Sequence, residues 1–303
     1  MTEQSDTPPF ERLRARGLLV QCGLAAIALV VAARFVSRSD PPAANDPGTF
    51  ALFYLGVAIV LAVRMKLARL DLSRLFGRAP SRDMLQLAFV APALAVLSIA
   101  GFWLLFLPLS YLAPNFVQHW AFDNAALLEP STVPMWTGHF IVAVVIAPVI
   151  EEILFRGLLL QRWALAYGSP VAVVLSSAVF AVGHVELLGH FLFGVTMCAL
   201  YLRTRSLCAP IAAHSLNNFL ATIFTLPAVI APESQLKDMT LASFQSQWWL
   251  GILIGAVGLG LLEVYRRRYW NGVDIAALLR GPVPYASGPA VAERDSSHPS
   301  AEG

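Results

Sequence analysis

Eight long apolar runs constrain this 303-residue chain more than any other feature. They lie at roughly Gly17–Val36, Gly48–Met65, Met84–Leu107, Gly138–Leu160, Pro170–Val185, Leu187–Leu202, Ala209–Ile230 and Trp248–Tyr265. A helix needs about 20 apolar residues to cross a bilayer. Hydrophobic residues make up 57% of the chain and charged residues 13%, whereas a soluble domain carries about 25% charge. The expected fold class is therefore all-α: a polytopic membrane helix bundle with about eight transmembrane helices. The fifth and sixth runs are short, and are expected either to tilt or to end below the outer surface.

The arginines lie between the runs. Arg12, Arg14 and Arg16 precede the first; Arg64, Arg69, Arg74, Arg78 and Arg82 fill the connection after the second; Arg162, Arg203, Arg205 and Arg266–Arg268 follow the fourth, sixth and eighth. If eight spans alternate, all of these fall on one side, which the positive-inside rule makes the cytoplasm. Arg34 and Arg38 fall on the other side, beside Asp40 and Asp46. The apolar stretch after Arg16 exceeds the 7–15 residues of a signal-peptide core, so it is expected to be retained as an anchor. The expected organisation is a cytoplasmic N-terminal segment at 1–16, a membrane domain at 17–270 and a cytoplasmic tail at 271–303. The tail is expected to be largely disordered apart from a short amphipathic piece at Val273–Leu279. The outer connection from Pro108 to Thr137 carries Trp120, Phe122 and Trp136, as an interfacial segment would. A net charge of +2 decides nothing alone; the expected partner is the lipid bilayer, not nucleic acid. Cys22, Cys198 and Cys208 match no zinc or redox spacing and read as inert buried thiols.

The fourth run, GHFIVAVVIAPVIEEILFRGLLLQ, carries Glu151, Glu152 and Arg156 near its middle. A bilayer penalises such groups by at least ~2.5–3.5 kcal/mol each, so they persist where they pair, face a wet cavity or do chemistry. Glu152 and Arg156, four apart, share a helix face, while Glu151 is turned about 100° away. Other polar groups follow: His184 late in the fifth run, Glu186 and His190 at the next connection, and His214 with Asn217 and Asn218 in the seventh. Glu186 and His190 read as turn or interface residues. Taken singly, the rest are also compatible with a structural ion pair, a packed histidine and helix-packing amides. Depth argues for a common site. At 1.5 Å per residue, Glu151 lies roughly 16 Å from the cytoplasmic surface, His214 roughly 13 Å, Asn218 roughly 20 Å and His184 roughly 21 Å. Three helices thus bring acid, imidazole and amide to the middle of a ~30 Å hydrocarbon layer.

As an ordered set, Glu151-Glu152…Arg156, Phe180…His184 and His214…Asn218 resemble the EExxxR, FxxxH and HxxxN motifs of the CPBP family of intramembrane proteases. That family includes the CAAX prenyl endopeptidases and the bacterial Abi-type proteins. The resemblance covers about 138–222; the first three spans and the tail are unmatched. It implies a glutamate-type intramembrane endopeptidase whose partner is a membrane-associated protein or peptide substrate, with Glu151 and His184 activating a water. His214 and Asn218 would stabilise the oxyanion, and Glu152 and Arg156 would be supporting residues. No metal is expected, and there is no HExxH; a zinc ion on Glu151, His184 and His214 is the alternative. Ser177, seven residues before His184, would sit roughly 10 Å along the helix from it, too far to act as its nucleophile. Two other functions compete. One is a non-catalytic immunity or assembly factor on the same scaffold. The other is a proton-coupled transporter, against which the lack of inverted repeats weighs. Arginine-heavy, lysine-poor usage suggests a bacterial inner membrane, where a prenylated substrate is less expected, and access is expected from the cytoplasmic side.

Overall fold

The computed structural model describes residues 10, 13–37, 46–77, 86–123, 130, 132–230 and 240–285. Among these residues the regular structure is helical throughout. In chain order the helices are α1 (Ala15–Ser37), α2 (Pro47–Leu67), α3 (Leu72–Phe76), α4 (Leu87–Leu112), α5 (Pro114–Val117) and α6 (Val133–Tyr167). They continue with α7 (Ser169–Val182), α8 (Leu187–Thr204), α9 (Cys208–Ile223), α10 (Leu226–Ile230), α11 (Leu241–Ser246), α12 (Trp248–Tyr269) and α13 (Ile275–Arg280).

All eight expected runs form helices, but only six helices among the described residues are long and apolar enough to cross a membrane: α1, α2, α4, α6, α8 and α12. The other two are α7 and α9, of 14 and 16 residues. At 1.5 Å per residue they reach only about 21–24 Å. The two-residue turn Phe224–Thr225 separates α9 from α10, so the seventh run is not one continuous helix. Side-chain caps fix several starts. Asp46 accepts from the Thr49 N–H at 2.8 Å, Glu186 from that of Gly189 at 2.8 Å and Asp274 from that of Ala277 at 3.0 Å, each satisfying a donor that its helix leaves free.

The helices α1 and α2 pack as a pair, α12 runs along α4, and α7, α8 and α9 fill the space between α4 and α6. Apolar side chains also cover the outside, such as Leu24, Leu104 and Ile252, each over 60% exposed, as suits a surface facing lipid. After α4 the chain folds back, and Val117 and Ala121 join Trp103, Phe106 and Phe244 in a buried cluster.

The arginine-bearing ends gather on one face. Arg162 Nε donates to Leu13 O at 2.7 Å and Arg205 Nη2 to Pro284 O at 3.1 Å. Arg74 lies over the Tyr285 ring and Arg203 over Trp270. This network corrects one expectation: residues 271–285 are not a disordered start to the tail. They form α13, over the expected amphipathic piece, and then dock. Val283 and Tyr285 are buried, and Tyr285 stacks edge-on against Phe10 and accepts from the Asp71 N–H at 2.9 Å. An aromatic anchor and hydrogen bonds to the Gly281 and Pro284 carbonyls hold a segment whose Pro and Gly content alone argues for disorder. Residues 1–9 and 286–303, the ends of the expected terminal segments, lie outside the described residues.

Candidate active site

Helix α6 carries the acidic pair, and its backbone is irregular around it. Two π-helical stretches, Val142–Ile146 and Ile153–Leu160, flank Glu151 and Glu152. Pro148 contributes to the first, because its ring nitrogen cannot donate to the turn before it. Such wide turns concentrate at functional sites.

The two carboxylates have different surroundings. Glu152 is fully buried and pairs with Arg156, also fully buried, at 2.8 Å. Arg156 Nη2 donates to Gly194 O at 3.2 Å on α8, and its guanidinium lies 4.8 Å from the centroid of the Phe180 ring on α7. The same Glu152 oxygen lies 2.9 Å from His214 Nδ1 on α9. A carboxylate only accepts, so Nδ1 carries a proton and Nε2 is turned the other way. That way lies Glu151, whose Oε2 is 3.8 Å from His214 Nε2. Its other oxygen accepts from the Tyr54 hydroxyl of α2 at 2.5 Å. A polar chain thus runs Tyr54, Glu151, His214, Glu152, Arg156 through the bundle.

His184 lies just past the end of α7, in the turn to α8. Its Nδ1 is 2.8 Å from Phe180 O, which only accepts, so Nδ1 carries the proton and Nε2 keeps its lone pair. One side of this turn faces the bundle interior, while Val182, Gly183 and Val185 stay exposed on the other. Glu186, buried within it, lies against the middle of α4, where a Cβ on Gly101 would come within 2.7 Å of its carboxylate. Irregular backbone at that depth is tolerated where protein buries it or water reaches it. Glu186 therefore acts as the turn residue expected of it. His190 does not. Its ring stacks on His184 with centroids 4.0 Å apart, and its Nδ1 lies 2.6 Å from Glu186 O.

Glu151, His184, His214 and Asn218 all line one cavity of about 260 Å³. At ~30 Å³ per water this holds several waters. Glu152 and Arg156 lie beneath it and are not in its wall. Glu151 and His184 share the cavity without a hydrogen bond between them. The Asn218 amide donates to Ala143 O at 2.8 Å, which leaves its second N–H available. Sequence reasoning missed Tyr54, Ser98 and His139, which also line the cavity. Tyr54 had only a weak signal, a hydroxyl well inside an apolar run.

The cavity runs away from the arginine-rich face. On α2 and α6 its walls are Phe50, Tyr54 and His139, toward the ends remote from Arg64 and Arg162; on α9 they are His214, Asn217 and Asn218, on the side remote from Arg205. The buried Glu152–Arg156 pair closes the other end. Among the described residues no group of three or more His, Cys, Asp or Glu side chains is arranged to hold a metal ion.

Comparison with known proteins bears on this arrangement. Residues 133–220 match the family described as type II CAAX prenyl endopeptidase, Rce1-like. The match spans less than a third of the chain. Its limits agree closely with the stretch 138–222 that the motifs mark out. A 92-residue stretch is 32% identical to a protein of Bacillus subtilis (strain 168) named "Putative membrane peptidase YdiL". The match covers 29% of this chain and 38% of that relative's length. No solved structure gives a significant match. The matched stretch contains Glu151, His184, His214 and Asn218, whereas Tyr54 lies outside it.

Proposed function

We propose that this protein is an integral membrane endopeptidase that hydrolyses a peptide bond in a membrane-associated protein or peptide. The carrying observation is that Glu151 and His184, unbonded to each other, line one cavity of about 260 Å³ together with His214 and Asn218. The Rce1-like match and the named peptidase relative support the same class of chemistry.

In this reading Glu151 removes a proton from a water that His184 Nε2 also contacts, and the hydroxide attacks the scissile carbonyl. The carbonyl electrons move onto oxygen, giving a tetrahedral oxyanion. His214 Nε2–H, in the imidazolium form, and the free N–H of Asn218 receive it. Collapse breaks the C–N bond, and Glu151 returns its proton to the leaving amine. Glu152 holds His214 from behind and Arg156 offsets Glu152. With His214 charged, Glu151, Glu152, Arg156 and His214 sum to zero, which suits a low-dielectric site.

We place the arginine-rich face in the cytoplasm of a bacterial inner membrane, with both termini there. The substrate then reaches the cavity from the opposite half of the bilayer. The test is proteomics of membranes from cells carrying wild-type or Glu151→Ala protein. An uncut precursor accumulating only in the variant is expected; identical membrane peptide profiles would contradict the proposal.

A further inference from the structure

We infer that Tyr54 is a positioning residue for Glu151, so that the working site extends to α2, outside the Rce1-like match. This rests on the peptidase reading above. Among the described residues Tyr54 is the hydrogen-bond partner of the Glu151 carboxylate, at 2.5 Å, since His214 Nε2 at 3.8 Å stands beyond hydrogen-bond distance. A glutamate side chain has three rotatable torsions. With one oxygen pinned to α2, the other is directed toward His214 and the cavity; unpinned, the carboxylate is free to swing within it.

Helix α2 is itself held so that Tyr54 faces α6. Gly56, two residues on and about 200° round the helix from Tyr54, packs against α1. A Cβ there would come within 2.7 Å of the Ala26 Cα. At the other end Arg64 Nε donates to Gln21 Oε1 of α1 at 2.6 Å. With the hairpin fixed from behind, the phenol is delivered to one place on α6. A general base must stand about 2.6–3.2 Å from the proton it takes, and a displacement of about 1 Å can cost a hundredfold in rate. The competing role is a structural anchor, in which the hydroxyl merely satisfies itself within the bundle. That role predicts lost stability, whereas positioning predicts lost turnover in a protein that is equally stable.

The experiment compares purified full-length wild type, Tyr54→Phe and Glu151→Gln in detergent. The probe is an acylated, internally quenched peptide chosen from a random library by wild-type turnover. For Tyr54→Phe, kcat falls roughly tenfold to hundredfold, while KM stays within about twofold and the unfolding temperature is unchanged. An unchanged kcat, or a kcat loss matched by a lower unfolding temperature, overturns the inference. A library left uncut by wild type, or Glu151→Gln turning over at the wild-type rate, overturns instead the peptidase reading on which it rests.

Discussion

Two Glu-x-x-x-Arg pairs occur in this molecule, and they differ in almost everything but spacing. Glu152–Arg156 sits in the interior of α6 with neither side chain exposed, at 2.8 Å. Glu263–Arg267 sits in the last two turns of α12, at 2.6 Å, with side chains 40% and 76% exposed. At the end of α12 the ions are exposed, and Arg266 competes for the same carboxylate. Inside α6 neither ion reaches water, so each needs further partners: the Gly194 carbonyl and the Phe180 face for Arg156, His214 for Glu152. Depth turns a solvated surface pair into the foundation of a site.

The sharpest way to break this comparison is Arg156→Ala, which leaves Glu152 buried without its main counter-ion. It is expected to destabilise the protein by about 3–5 kcal/mol, read as thermal unfolding in detergent. The double variant Glu152→Gln/Arg156→Met should recover much of that stability, because removing both charges removes the desolvation cost, yet remain inactive because His214 loses its carboxylate. His190→Ala is expected to lower turnover several-fold, by about 1 kcal/mol of lost ring contact, with the fold intact. A chelator such as EDTA should leave turnover unchanged. Glu263→Ala should change neither unfolding temperature nor turnover measurably, since exposed pairs contribute little. Equal losses from the Arg156 and Glu263 variants would show that depth does not separate the two pairs.

Legibility in the sequence follows the same physics. The spans could be read because length and apolarity are local properties. The acidic pair, Arg156, His184, His214 and Asn218 could be read because polar groups inside apolar runs are costly and therefore conspicuous. Tyr54 could not. Tyrosine is common in membrane helices near the interface, and its partner lies 97 residues away in the chain. The His184–His190 stack depends on the path of a turn, and a single apolar run gives no sign of where its helix stops. The cavity's direction is not legible in the sequence, because depth along separate helices does not show the contact among α6, α7, α8 and α9 that fills one end. The docked stretch 271–285 was hidden by its Pro and Gly content; only Val283 and Tyr285 mark it.

The central claim is that the Glu151 carboxylate does chemistry and not merely packing. Its most direct test is cleavage of one membrane-anchored peptide by purified wild type and Glu151→Gln, after both show the same unfolding temperature. The account predicts that wild type cuts the peptide and that the amide variant, similar in shape but unable to take a proton from water, does not. Cleavage at equal rates by both proteins would contradict it.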